Sequence, residues 1–131
     1  MRPGWSPHGW SALLLALAFL AGVVAGCTGL AATRTGAQSV EVVAALTFAS
    51  EQEGVPYATL WRLARCESGF APWAENRRSG AMGLMQFLPG TWAWMSEAAG
   101  YAGTSAYDPW SASLVTAWAI RSGYGRHWAC W

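Results

Sequence analysis

The sequence contains no lysine, and only 11% of its 131 residues are charged. Eight basic and seven acidic side chains leave a formal net charge of +1. Proteins that bind nucleic acid through its phosphates need a basic face, so this composition argues against a nucleic-acid partner. A continuous strand pattern of useful length is also missing, which favours helices as the main elements.

A long apolar run is missing as well. The most apolar stretch, residues 12–25 (ALLLALAFLAGVVA), is too short to span a bilayer comfortably as a permanent anchor. Arg2 and His8 precede it and small residues follow it, which is typical of a secretory signal. A short buried helix is the alternative. We therefore predict that the chain is exported to the cell envelope.

The end of this apolar run, Val24-Ala25-Gly26-Cys27, resembles the lipobox of bacterial lipoproteins. In that family the cysteine becomes the first mature residue and carries lipid. The resemblance implies a signal peptide over residues 1–26 and a membrane anchor on Cys27. Ordinary cleavage after Ala32 or Ala37 is the competing interpretation.

Cysteine is scarce, with three residues, and an odd number in an exported protein leaves one thiol to explain. If Cys27 carries lipid, Cys66 and Cys130 remain as a pair, and an oxidising compartment permits a disulfide between them. Such a bond would help a domain of this size, whose core is small. His127 and two distant cysteines do not have zinc-site spacing, and we expect neither a metal nor a cofactor.

Composition and periodicity predict a flexible linker over residues 27–38 and one mainly helical domain over residues 39–131. Start and stop signals predict four helices. These run from Ser39 to Gly54, from Pro56 to Gly69, from about Thr91 to Gly100, and from Asp108 to about Ser122. Residues 70–81 are predicted to be a loop and residues 82–88 an extended or irregular wall. The expected fold is a small α-rich domain whose irregular loops cover a cleft.

Glu67 is the acidic residue with the strongest claim to chemistry. It continues the apolar stripe that Leu60, Leu63 and Ala64 form on its helix. It also lies in the last helical turn. Desolvation raises a carboxyl pKa, and the negative end of the helix dipole acts in the same direction. A carboxyl that keeps its proton near neutral pH suits a general acid. The alternative is an outward-facing Glu67 paired with Arg62 or Arg65.

Two segments, ESGFAPWAEN (67–76) and SGAMGLMQFLPGTW (79–92), resemble the lytic transglycosylase domain of goose-type-lysozyme-like fold. The matching motifs are Glu67-Ser68-Gly69, Gly83-Leu84-Met85-Gln86 and Pro89-Gly90-Thr91, in the family's order and spacing. The resemblance extends over residues 40–131 and implies an α+β lysozyme-like fold. The Cys-Glu-Ser-Gly run also looks like the resuscitation-promoting factors, but the G-L-M-Q segment fits the transglycosylases better.

The resemblance implies that the substrate is the glycan strand of bacterial peptidoglycan. Glu67 would protonate the oxygen between N-acetylmuramic acid and N-acetylglucosamine, then accept the proton of the muramyl 6-hydroxyl, giving a 1,6-anhydro product. Most glycoside hydrolases use two carboxylates, and only Glu75 and Asp108 could supply a second one here. A muramidase that uses water and a non-catalytic peptidoglycan-binding lipoprotein are the alternatives.

The same resemblance suggests residues that contact substrate. Ser68 would bond the glutamate or a sugar, unless it is only a polar helix end. Met85 and Gln86 would line the cleft, with core filling as the alternative for Met85. The stretch AWAIRSGYGRHW departs from the family's Ala-x-x-Tyr-Asn-x-Gly pattern, and Tyr124 is the candidate for its tyrosine.

Tryptophan is abundant, with ten residues in the chain. A flat indole face stacks on a sugar ring while its N–H seeks a partner. Most of the ten are expected in the core because a small domain must bury its large groups. Trp73, in the loop after Glu67, and Trp128, near the end of the chain, are the stacking candidates.

Overall fold

The computed structural model describes residues 40–131. The predicted signal, the lipid on Cys27, the linker and the Ser39 cap lie outside these residues and stay predictions. In the described range, α1 occupies 40–53, and no helix there is long and apolar enough to cross a membrane. The other elements are α2 (Tyr57–Ser68), β1 (Glu75–Asn76), β2 (Ala81–Met82), α3 (Pro89–Ala98), α4 (Pro109–Arg121) and a 3-10 helix (Gly125–His127).

The structure confirms two of the predicted helix boundaries, the end of α2 at Gly69 and the start of α4 at Asp108. Gly69 follows α2 with φ 61°, and its N–H bonds the Arg65 carbonyl at 3.1 Å, which is the usual way a left-handed glycine ends a helix. Asp108 caps α4, because its Oδ2 accepts the Ser111 N–H at 2.9 Å. Pro56 precedes α2 as its N-cap instead of lying in the first turn.

The loop predicted over residues 70–81 contains a small antiparallel hairpin. Glu75 pairs with Met82, and Asn76 pairs with Ala81. The Asn76 side chain organises the turn by accepting the N–H groups of Arg78 at 3.0 Å and Ser79 at 3.3 Å. Strands of two residues are too short to show a sequence period, which is why the pattern did not reveal them.

The core forms around α4, which packs against α2, α3 and the 3-10 helix. Most residues of α4 are buried, so the helix shows no polar face along most of its length. The partly exposed Asp108 and the buried Pro109 start this helix, and Pro109 lines a cavity together with Glu75 of the hairpin. The fully buried apolar side chains around it include Leu46, Leu60, Leu63, Leu84, Met95 and Val115.

The structure contains the predicted disulfide between Cys66 and Cys130, with Cα atoms 6.2 Å apart and 64 residues between them in sequence. It joins the last turn of α2 to the end of the chain. The structure therefore places the C-terminal tail beside Glu67.

Removing this disulfide is expected to lower the free energy of unfolding by about 4 kcal/mol, since a loop of this length restricts the unfolded chain. Urea unfolding of the oxidised protein and of a Cys66→Ser, Cys130→Ser variant measures the difference. The disulfide would have no stabilising role if both proteins had the same unfolding midpoint. Thiol titration of the unfolded, unreduced wild type checks that the bond was present.

Candidate active site

Glu67 is partly buried at the end of α2, and its Oε1 is buried with no hydrogen-bond partner among the described residues. Desolvation raises the pKa of this carboxyl above its ordinary value, and the backbone N–H of Cys130 lowers it in part. A buried polar atom without a partner is costly in a folded protein. Glu67 therefore has the properties of a group that holds its proton.

The outward ion pair considered for Glu67 is not formed. Arg65 lies over the Trp61 ring, 5.5 Å from its centroid. In residues 40–131 the structure shows one salt bridge, in which Arg121 bonds Glu53 at 2.9 Å. No cation among residues 40–131 therefore pairs with the Glu67 carboxylate, which is consistent with the direction of its pKa shift.

Ser68 terminates α2. Its hydroxyl donates to the Ala64 carbonyl at 3.2 Å and accepts the Ala71 N–H at 3.1 Å. These bonds match the helix-end role that the sequence left open. A bond from Ser68 to a sugar stays a prediction.

The G-L-M-Q segment forms a tight turn against the hairpin. The Gly83 N–H bonds the Ala74 carbonyl at 2.8 Å, and Gly83 has φ 78°. Gln86 also has a positive φ, 51°, and its Nε2 donates to the carbonyls of Gly83 at 3.0 Å and Ala74 at 3.2 Å. The Gln86 amide nitrogen therefore holds the loop, and any bond from this side chain to a sugar stays a prediction.

Two residues predicted to face the substrate are core residues in the structure. The Met85 side chain is fully buried, and its carbonyl accepts the Trp128 indole N–H at 2.8 Å. Trp128 is 6% exposed and packs edge-on against Phe87 at 5.4 Å between ring centroids. Full burial leaves the Met85 side chain no surface for a glycan, so the core-filling alternative applies to it. Trp128 also lines a small cavity with Gln86 and His127, and its contact with a glycan stays a prediction.

The other two aromatic candidates are exposed. Trp73 is 61% exposed. Tyr124 is 40% exposed, stacks on Trp118 and meets Trp94 edge-on at 5.2 Å. Trp94 was not singled out from the sequence, because its place beside Tyr124 depends on how α3 and the tail pack together. Both Trp73 and Tyr124 remain available to stack on a sugar.

The possible second carboxylates have other positions. Asp108 caps α4, and Glu75 lies on β1, exposed, facing a cavity that it shares with Glu41. Among residues 40–131 no group of three histidine, cysteine, aspartate or glutamate side chains is placed to hold a metal ion. Glu67 stays the predicted catalytic acid.

The fold and site define a small, mainly helical domain with one desolvated carboxyl at a helix end, beside a disulfide-held tail. A family model described as the Transglycosylase SLT domain matches residues 44–128, and the chain belongs to this family. The match includes Glu67 and the G-L-M-Q segment. Comparisons with curated proteins and with solved structures found no match.

Family membership supports the predicted lysozyme-like fold class and a peptidoglycan-directed transglycosylase at the level of the family. It also implies a peptidoglycan substrate and, with it, action in the cell envelope. The G-L-M-Q turn and the glycine after α2 both have a physical basis here, because Gly83 holds the turn against Ala74 and Gly69 ends α2.

Proposed function

We propose that the chain is a lytic transglycosylase that cleaves the β-1,4 bond between N-acetylmuramic acid and N-acetylglucosamine in peptidoglycan. The observation that carries the proposal is the Glu67 carboxyl, with a raised pKa and a buried Oε1 that no described residue bonds. A protonated carboxyl with a free oxygen is what a general acid requires. Family membership supplies the substrate class.

The reaction needs one carboxyl used twice. Glu67 donates its proton to the glycosidic oxygen as the bond from that oxygen to C1 of the muramyl sugar breaks. The Glu67 carboxylate then accepts the proton of the 6-hydroxyl of the same sugar, whose oxygen bonds to C1. Glu67 ends the cycle protonated, and no water is consumed. The capping role of Asp108 supports this single-acid scheme over one with two carboxylates at fixed separation.

Product chemistry tests the proposal. Purified peptidoglycan sacculi digested with the wild-type protein are expected to release muropeptides with 1,6-anhydro ends, one water lighter than hydrolysis products and resistant to borohydride reduction. Digestion in water enriched in heavy oxygen separates the two chemistries further, because only hydrolysis incorporates the label. Heat-denatured protein serves as the blank.

Two outcomes would contradict the proposal and favour an alternative. Labelled, reducible ends would identify a muramidase that uses water, as in a resuscitation-factor-like cleaver. Binding of the protein to sacculi without release of any muropeptide would identify a non-catalytic peptidoglycan-binding protein.

A further inference from the structure

The cavity that Glu75 shares with Glu41 lies between the start of α1, the loop that leads into the hairpin, and the start of α4. Its volume is about 340 Å³, within the range of small-ligand sites. Glu67 does not line it. Its lining residues are Glu41, Pro72, Trp73, Glu75, Tyr107 and Pro109. We propose that this cavity binds a primary ammonium group carried by the peptidoglycan substrate.

The charge of the cavity favours a cation. Glu41 and Glu75 are exposed carboxylates, and neither forms an ion pair within the described part of the chain. The nearest arginines in sequence, Arg77 and Arg78, belong to the exposed hairpin turn and do not bridge to Glu75. Two carboxylates on one cavity attract a cation and do not attract a neutral ligand.

The aromatic side chains of the cavity favour the same ligand. Trp73 is 61% exposed and Tyr107 40% exposed. In the described residues neither ring pairs with another aromatic ring, although several other tryptophans and tyrosines do. A cation over an indole or phenol face is attracted by the ring quadrupole, most strongly for tryptophan. The cavity therefore combines aromatic faces with carboxylates, as ammonium sites do.

The walls of the cavity are fixed by the fold. Glu75 is held in the hairpin by its pairing with Met82, and the adjacent Ala74 carbonyl accepts the Gly83 N–H at 2.8 Å. On the opposite side, the Ala106 carbonyl packs directly on Gly83. Tyr107 follows Ala106 and precedes the α4 cap. The backbone of these walls therefore needs little further ordering when a ligand binds, which favours affinity.

This inference rests on the proposed function, because that function makes peptidoglycan the ligand. Peptidoglycan can present a primary ammonium from two sources: the side chain of a diamino acid in the stem peptide, or a glucosamine that lacks its acetyl group. Both present the same chemistry to Glu41, Glu75 and Trp73. Acetylation of the amine removes the charge in either case and leaves the rest of the molecule unchanged.

Matched ligand pairs test the proposal in the full-length chain carrying Glu67→Gln, so that no ligand is cleaved during the measurement. One pair is a disaccharide–peptide with a free diamino-acid side chain and its N-acetylated copy. The other is a glucosamine oligosaccharide and its N-acetylated copy. Calorimetric titration is expected to show about tenfold tighter binding of the free amine in at least one pair. The pair that shows the preference identifies the source.

Two variants test whether the preference for the free amine depends on the cavity. Glu75→Gln and Trp73→Ala are each expected to remove most of the preference for the free amine, while Glu97→Gln, an exposed carboxylate on α3, keeps it. Both cavity residues are exposed, so circular dichroism is expected to show an unchanged fold. Equal binding of free and acetylated ligands in both pairs would overturn the proposal, and so would a preference that survives both cavity variants.

The failure of this inference and the failure of the proposed function are distinguishable. Anhydro products from sacculi treated with the wild type support the proposed function whatever the amine preference. A preference for the free amine without any cleavage by the wild type would leave the cavity as a binding site and overturn the catalytic proposal alone.

Discussion

Replacement of Glu67 by glutamine is expected to reduce the rate of muropeptide release from sacculi by about 10²- to 10⁴-fold, the usual contribution of general acid–base catalysis. Glutamine keeps the size of the side chain but carries no transferable proton. The departing sugar oxygen would then leave unprotonated, and no group would accept the 6-hydroxyl proton. Chromatography of the released muropeptides over time measures the loss.

Two control variants define what the Glu67→Gln result means. Glu97→Gln removes an exposed carboxylate on α3 and is expected to retain wild-type activity. Asp108→Asn removes the charge of the α4 cap but keeps a good capping residue, so it is also expected to remain active. A loss in Asp108→Asn as large as that in Glu67→Gln would show that the reaction needs a second carboxylate.

The pH dependence of the wild type follows from the same group. Burial raises the pKa of Glu67 above the ordinary glutamate value of 4.5. The protonated acid therefore persists to a higher pH than in an exposed glutamate, and activity is expected to fall as the pH rises through the raised pKa. A rate profile across this range checks the direction. A decline centred at or below 4.5 would contradict the assigned environment.

Glu67→Gln is also expected to increase stability at neutral pH. Since the folded pKa is raised above the unfolded one, folding favours the protonated form, and stability is lost as the pH rises through the folded pKa. Glutamine removes this dependence because it stays neutral. Urea unfolding should show the variant more stable than the wild type at pH 7, with the gap closing below the unfolded pKa. A variant less stable at pH 7 would contradict a desolvation origin of the shift.

The sequence predicted the features that depend on local chemistry. Gly69 and Asp108 have short-range reasons to end and start helices, and the structure confirms both. The partial burial of Glu67 also followed from its place on an apolar stripe, because a helix fixes which residues share a face. The partial burial of the Glu67 carboxyl could therefore be predicted from the sequence.

The features that depend on long-range packing were not predicted. Met85 and Trp128 lie in segments without a period, and no local signal separates a cleft wall from the core at such positions. They meet only in the folded chain, where the Trp128 indole N–H donates to the Met85 carbonyl across 43 positions of sequence. The cavity of Glu41, Trp73 and Glu75 likewise forms only when α1 meets the hairpin loop.

Gly83→Ala is expected to prevent stable folding of the domain. Gly83 has φ 78°, which is unfavourable for alanine by about 1–2 kcal/mol. In addition, a Cβ at this position would lie 1.9 Å from the Ala106 carbonyl oxygen and 2.7 Å from its carbon. These are backbone atoms, so no side-chain rotation relieves the contact. Thermal unfolding monitored by circular dichroism measures the effect, with soluble yield as a first indication.

Two further alanine variants separate the causes. Gly69→Ala places an alanine at a positive φ of 61°, where no atom lies within 4 Å of the new Cβ. This variant therefore tests conformational strain alone. Gly90→Ala lies in α3 with open space around it, and is expected to stabilise the helix by about 0.5–1 kcal/mol. The expected order of stability is Gly90→Ala above wild type, then Gly69→Ala, with Gly83→Ala far below.

The size of the Gly83 effect follows from what this contact joins. Separating Gly83 from Ala106 by the more than 1 Å that a Cβ requires would pull the G-L-M-Q turn from the segment before α4. The fully buried Leu84 and Met85 would have to move with it. The free energy of unfolding of natural domains is only about 5–15 kcal/mol. Core disruption of this kind lowers it by several kcal/mol. If Gly83→Ala unfolded at the same temperature as Gly69→Ala, the close approach to Ala106 would not be needed for the fold, and Gly83 would be required only for its φ.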